Sequence, residues 1–363
     1  MIIKFVFSSR KMFAILFILI FVHLEISAQT IIENSDKPLA KNAGRVLKLQ
    51  EIWRITDEGG QLFLKYPRDL KVAQDGSIFL ADQTQFLKFS AEGKFIKNLY
   101  KKGQGPGEIE RYYTYHIYKN EIYIRDFNSG RFFKTDFDGN LIEQIKIEDR
   151  TYSNFSGVSE NSLLFFKSLW PPPEDRKGKL MDIHYIVGLI SKDGRKVREI
   201  ANFPVKMFLG AKGNNMEWAS FQKILSEDGK RLVVSHTREY LIEVLDFEKG
   251  QIVRRFNRNY PHVKYRKQGW EDDFRERNNT PEIQFEEDVK GLFCNKDRIW
   301  VKTSTNDKEK GNMFDVFDSE GRFVDSFYLS GGRTLLNPNG DTIFVLEKDK
   351  AENWLLIKYN IME

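Results

Sequence analysis

Four short apolar runs lie between Pro67 and Glu108, and turn chemistry stops each of them. Leu70–Val72 leads to Gln74-Asp75-Gly76, and Ile78–Ala81 to Asp82-Gln83. Phe86–Phe89 leads to Glu92-Gly93, and Phe95–Leu99 to Gly103-Gln104-Gly105-Pro106-Gly107. Asp-Gly and Glu-Gly pairs between β-rich runs read as hairpin turns, because glycine accepts a positive φ there. Four antiparallel strands in about 40 residues make one propeller blade. No other feature limits the fold so tightly, because the rest of the chain repeats it.

The second strand of each copy gives the sharpest alignment. Ile78–Ala81, Ile122–Ile124, Leu163–Phe166, Leu232–Val234, Ile299–Val301 and Ile343–Leu346 each follow a polar turn. Their near-continuous apolar character suits strands covered on both faces. The outer hairpins recur as well, joined at Gly93, Gly139, Gly194, Gly250 and Gly321. In the last copy Trp354–Asn360 supplies a third strand and a fourth is missing. Val46–Ile55 alternates like a strand and has no local partner, so it is expected to complete that blade and remove an open sheet edge. The expected fold is all-β: a six-bladed β-propeller of four-stranded antiparallel blades over 45–363, the last closed by the N-terminal strand. Aromatic residues make up 14% of the chain, 30 of them Phe, which fits pleated, half-buried positions.

Lys4, Arg10 and Lys11 precede an apolar run, Met12–Leu24, and Ile26-Ser27-Ala28 offers a small-residue cleavage site. The run is too short to span a bilayer, so 1–28 reads as a secretory signal peptide. The mature chain is then expected in the periplasm or outside the cell, without a transmembrane span. Residues 29–44 are polar and aperiodic and read as a linker. The net charge is +5, two of it in the signal segment, and the remaining +3 gives no argument for nucleic acid. Cys294 is the only cysteine, so no intramolecular disulfide forms, and it reads as a buried thiol.

DGSIFLADQTQFLKFSAEGKF resembles an NHL-type repeat: Asp-Gly, a strand ending Ala-Asp, an apolar strand, then Gly and a Phe strand. With GQGPGE (103–108) after it, the blade is similar to secreted six-bladed propeller proteins of Bacteroidetes, most of which carry no assigned function. The resemblance covers roughly Arg45–Ile361, and blades three and five match it least. It implies the propeller fold and export, and leaves the activity open.

Later copies carry longer connections at Lys167–Asp182, Val205–Glu217, Asn257–Gln284 and Thr303–Asn312. Strands alternate in direction, so connections from strand two to three and from strand four to the next blade emerge on one face. All four insertions are of that kind, and insertions on one face mark the binding face of a repeat protein. Trp170, Trp218 and Trp270 sit in them, suited to stacking on a sugar or gripping a peptide. Gln268–Arg277 reads as a short helix of mixed charge. Arg68, Arg111 and Arg333, with Tyr112, lie near the starts of inner strands and form a cationic mouth suited to a carboxylate or anionic sugar.

There is no G-x-S-x-G, no H-E-x-x-H and no paired-cysteine site. Gly103–Gly107 joins strand to strand and lacks the helix dipole of a phosphate loop, so it reads as a shaped turn. The leading expectation is a non-catalytic propeller that binds a small molecule, glycan or protein, without a cofactor. The alternatives are a metal-dependent lyase or hydrolase and a structural module of a cell-envelope assembly. For the metal reading, Asp69, Asn154 and Glu286 start inner strands, the arrangement that holds calcium in gluconolactonase-type propellers. His116 alone of His116, His184, His236 and His262 sits on an inner strand, as zinc-binding histidines do in peptide-amidating propellers.

Overall fold

Three strands at the start of the chain belong to blades remote in sequence. These are β1 (Ile32–Asn34), β2 (Arg45–Val46) and β3 (Lys48–Ile55). Blade one is β4 (Pro67–Val72), β5 (Ile78–Asp82), β6 (Gln85–Phe89) and β7 (Phe95–Asn98). Blade two is β8 (Tyr113–Tyr118), β9 (Glu121–Asp126), β10 (Phe132–Thr135) and β11 (Leu141–Ile145). Blade three is β12 (Asn154–Val158), β13 (Ser162–Leu169), β14 (Lys179–Ser191) and β15 (Val197–Leu209), with β16 (Asn215–Glu217) beyond. Blade four is β17 (Phe221–Leu225), β18 (Arg231–His236), β19 (Leu241–Asp246) and β20 (Gln251–Arg258). Blade five is β21 (Val289–Asn295), β22 (Arg298–Asp307), β23 (Gly311–Phe317) and β24 (Phe323–Leu329). Blade six is β25 (Thr334–Asn339), β26 (Thr342–Lys348) and β27 (Trp354–Met362), and β3 is its fourth strand. The structure is a computed structural model and describes residues 31–55, 64–111, 113–176, 178–210, 215–266, 269, 273, 276, 277, 280 and 282–362.

The fold is a six-bladed, all-β propeller. The N-terminal strand closes it as expected: β3 runs antiparallel to β27, from Leu356↔Ile55 to Met362↔Lys48. Trp53 of β3 lies against the Phe344 ring and donates from Nε1 to the Ala91 carbonyl of blade one at 3.3 Å. The inner strands pack on one another around the channel, β8 on β12, β17 on β21, β21 on β25 and β25 on β4.

The apolar clusters lie between blades. Phe79 and Phe86 of blade one meet Tyr113, Tyr115 and Ile124 of blade two. Phe132 of blade two meets Phe155 and Phe165 of blade three. Second strands are apolar because both faces are covered, and every residue of β5 is buried. The outer-hairpin glycines serve the same junctions. A Cβ on Gly93 would lie 2.7 Å from the Trp53 ring of blade six, and one on Gly321 would lie 2.7 Å from Phe256 of blade four. Each has a positive φ as well, so only glycine suits both demands. Between blades four and five, Arg258 Nε donates to Asp315 Oδ2 at 2.7 Å, and both side chains are buried. The rings of Tyr240, Tyr260 and Phe323 cover the guanidinium.

Two expectations need correction. Three blades have a fifth strand: β16 on blade three, β1 parallel to β20 on blade four, and β2 parallel to β24 on blade five. The segment read as a linker, 29–44, therefore carries β1, and its later residues run along blade five. Leu39 and Ala40 donate backbone hydrogen bonds to the Phe323 and Val324 carbonyls. The insertions also shrink, because strands run on into them. Lys167–Asp182 becomes a loop over 170–178, and Thr303–Asn312 becomes a hairpin turning at 308–310. Val205–Glu217 gives up its ends to β15 and β16. Polar residues extend a hairpin into solvent when every backbone group is paired within it, a pattern that reads as loop in sequence.

Candidate functional site

Connections from strand two to three, and from blade to blade, share one face, as the strand order requires. Among the described residues, five exposed large apolar side chains belong to that face: Tyr66, Phe127, Leu169, Trp170 and Phe285. Among the described residues no turn of the opposite face carries one; the others lie on outer strands, in the N-terminal segment or, for Met362, at the end of β27 on the opposite face. Trp170 is exposed with the Arg176 guanidinium 5.6 Å over its ring. Trp218 is half-buried under Arg238, which also donates from Nε to the Trp218 carbonyl at 2.6 Å. Trp270 and Tyr112 lie outside the described residues, as does most of the helix expected at Gln268–Arg277.

The three arginines of the expected cationic mouth have different surroundings. Arg333 is held by Glu347, 2.6 Å from its Nε, and by the Tyr359 ring. Arg68 lies over the Tyr113 ring at 5.1 Å. Arg111 is exposed.

The channel itself is irregular. Bulges interrupt four inner strands, at Asp69 of β4, Ser156 of β12, Lys290 of β21 and Leu336 of β25. A bulge inserts an unpaired residue and re-aims its side chain. Asp69 takes a positive φ and pairs with Lys71 at 2.8 Å, and Lys290 pairs with Glu286 at 3.0 Å. Ser156 Oγ is buried without a hydrogen-bond partner. At the end of the channel opposite the long connections is a cavity of about 380 Å³. All six inner strands reach it, and Asp69, Lys71, His116 and Cys294 contribute its chemistry. Burial, then the ammonium groups of Lys71 and Lys223, hold the His116 imidazole well below its ordinary pKa. Burial raises the Cys294 thiol to about 12, which leaves it inert at neutral pH.

Register defines equivalent positions in the six blades. Leu70, Tyr115, Phe155, Leu292 and Leu335 pair with the third residue of the second-strand motif in their blades. All five are buried and apolar or aromatic. In blade four the same position, opposite Val234, is Lys223. Its ammonium faces the rings of Phe166 at 4.9 Å and Phe221 at 5.1 Å. Burial lowers its pKa, and the Glu217 carboxylate acts in the other direction. Aligning the inner strands through their second-strand partners exposes this lysine; reading them by composition does not.

The proposed metal ligands do not converge. Asp69 and His116 reach the cavity, whereas Glu286 is held by Lys290 and accepts from the Arg266 backbone at 3.1 Å. Asn154 is not among the cavity's residues. Among the described residues, no three His, Cys, Asp or Glu side chains are placed to hold an ion. The other histidines serve local pairs: His184 with Asn202, His236 with Glu243 and His262 with Asp288. The glycine loop at 103–108 is filled from within. Glu108 Oε2 accepts from the Gly105 backbone at 2.7 Å, and Arg131 donates to the carbonyls of Gly103, Gln104 and Gly105.

Over residues 60–192 the sequence matches the model of a family described as DUF5128, 6-bladed beta-propeller. No curated protein is significantly similar in sequence. The chain is similar in structure to a Bacteroides fragilis protein described as exported, with a TM-score of 0.58 at 11% identity, covering 92% of this chain and 100% of that one. It is similar also to a duf4221 family member from Bacteroides vulgatus, with a TM-score of 0.54 at 11% identity, covering 88% and 99%. At that identity the likeness carries the propeller fold alone.

Proposed function

We propose that this protein is an exported, non-catalytic propeller that binds a ligand or protein partner on the face bearing its long connections. The observation that carries the reading is the confinement of Tyr66, Phe127, Leu169, Trp170 and Phe285 to that face. Exposed apolar groups cost solubility, and their concentration in the connections of one face of a rigid ring marks an interaction surface. Among the described residues no helix is long and apolar enough to cross a membrane. The signal-like segment 1–28 lies outside the described residues and supports export by its sequence.

The test is a glycan and peptide array probed with wild type, with Trp170→Ala, and with Asp228→Lys on the opposite face. Trp170→Ala should weaken the wild-type hits by roughly 1–3 kcal/mol, with unchanged melting, because the ring is a contact and not a core residue. Hits that survive Trp170→Ala and vanish with Asp228→Lys would move the site to the other face.

A further inference from the structure

Lys223 is the one inner-strand lysine that replaces a buried apolar residue of the repeat. Lys71 has Asp69 and Lys290 has Glu286, each within ion-pair distance. Among the described residues, no carboxylate and no hydrogen bond reaches the Lys223 ammonium; it meets two aromatic rings. Ring faces offset only part of the cost of taking an ammonium out of water. A repeat that supplies Leu, Tyr or Phe at this position in five blades has no packing need for a lysine in the sixth. In register, Lys223 stands one residue from Ile224, which belongs to the channel cavity.

We infer that Lys223, half-buried on the inner strand of blade four, anchors an anion site in the channel, one that takes a carboxylate carrying an apolar body. The ammonium is the donor a carboxylate needs. Phe166 and Phe221 form an apolar wall beside the charge, which disfavours a bare, strongly hydrated inorganic ion. One ammonium without a carboxylate in ion-pair distance matches a monoanion. This site is separate from the long-connection face; Asp228 lines the channel cavity, so an array hit lost only with Asp228→Lys bears on this site and not on that face.

The experiment uses the full mature chain and a panel of monocarboxylates from acetate to phenylpropionate, with the matching alcohols and inorganic phosphate. Thermal shift and calorimetry read binding to wild type, Lys223→Met and Lys223→Arg. At least one carboxylate with an apolar body should stabilise wild type saturably, while its alcohol and phosphate do not. Lys223→Met should weaken that binding about tenfold or more, as expected for losing a charge-assisted hydrogen bond. Lys223→Arg should retain part of it. Lys223→Met restores the apolar pattern of the other blades and should melt no lower than wild type; if it does not fold, Lys223→Gln carries the same comparison. The inference is overturned if no carboxylate stabilises wild type more than the Lys223 variants, or if the alcohols or phosphate act equally well.

Discussion

Blades three, four and five each carry a fifth strand, whereas blades six, one and two stop at four. The two halves of the ring meet the same hazard differently. An outer strand has unpaired backbone groups that invite another chain. In the covered half, β16, β1 and β2 occupy those edges. In the open half the outer strands are β3, β7 and β11, and their edges are guarded by chemistry. β7 has only four residues, all exposed, and includes Lys97. β11 carries Glu143, and β3 carries Lys48, Glu51 and Arg54. The long connections belong to the covered half too, so extra chain is concentrated in one half of an otherwise regular ring. Repeat geometry fixes the ring; where additional chain is present, it is used to cover edges.

The strongest way to break the comparison is to remove β3. Deleting 48–55 uncovers β27 and withdraws Trp53 and the buried Ile55 from the junction between blades six and one. At roughly 1.5–3 kcal/mol for each large apolar side chain, plus the lost ladder, the cost is about 5 kcal/mol or failure to fold. Denaturant melts of the truncated chain measure it. A midpoint within error of wild type would show that the ring does not depend on this closure.

Removing 31–44 from the mature chain should do less, about 1–3 kcal/mol. It uncovers β20 and loses the Asn34 side-chain bonds to the Asn257 and Gly321 carbonyls, at 2.8 and 2.9 Å. It also removes the Asp36 carbonyl that accepts from Arg258 at 3.3 Å. The expected signs are a modest fall in midpoint and new concentration-dependent association through the bared edges. If this deletion costs as much as removing β3, covering an edge matters as much as closing the ring.

The smallest effect lies at the seam between the halves, where blade two meets blade three. Lys192 is inserted between the rings of Tyr118 and Tyr123, at 4.5 and 4.8 Å, and its amine has no hydrogen-bond partner. Burial lowers its pKa to about 8, against the pull of Glu121. An unfolded lysine keeps its proton up to about pH 10.4, so between those values the unfolded chain binds more protons than the folded one. This group therefore makes stability rise as pH climbs through 8 toward 10. Lys192→Met should remove that rise and melt slightly higher than wild type at pH 7. Parallel pH profiles for the two proteins would mean that the rings impose no penalty on the ammonium.

How much of this was legible in sequence varies from element to element. The six second strands were readable because burial on both faces leaves a near-continuous apolar run, as in Ile78–Ala81 and Ile343–Leu346. The hairpin glycines were readable because a positive φ narrows the choice of residue. The missing strand of blade six pointed to Val46–Ile55 by elimination; Lys48–Ile55 fills the place, while Val46 pairs with blade five instead. The fifth strands were not readable. Ile32–Asn34 pairs with residues more than 200 positions away, and a three-residue edge strand leaves no periodicity of its own. Only the extensions of the β14–β15 hairpin, 179–182 and 205–209, read as loop, because these parts are paired yet not buried on both faces.

The candidate sites divide along the same line. Sequence placed Trp170 in a long connection and Arg333 near the channel, but it did not reveal that Glu347 holds Arg333. Nor did it reveal that Lys223 occupies a core position of the repeat, because bulges in the inner strands of blades one, three, five and six shift their count against the regular inner strand of blade four. By itself, then, the sequence determined the local repeat: strand, turn, strand, and the number of blades. Tertiary structure decided which charges found partners, which edges were covered and which position Lys223 fills. Strand and turn follow from apolar patterning and backbone sterics over a few residues. Pairing of charges, edges and register depends on groups brought together only when the ring closes.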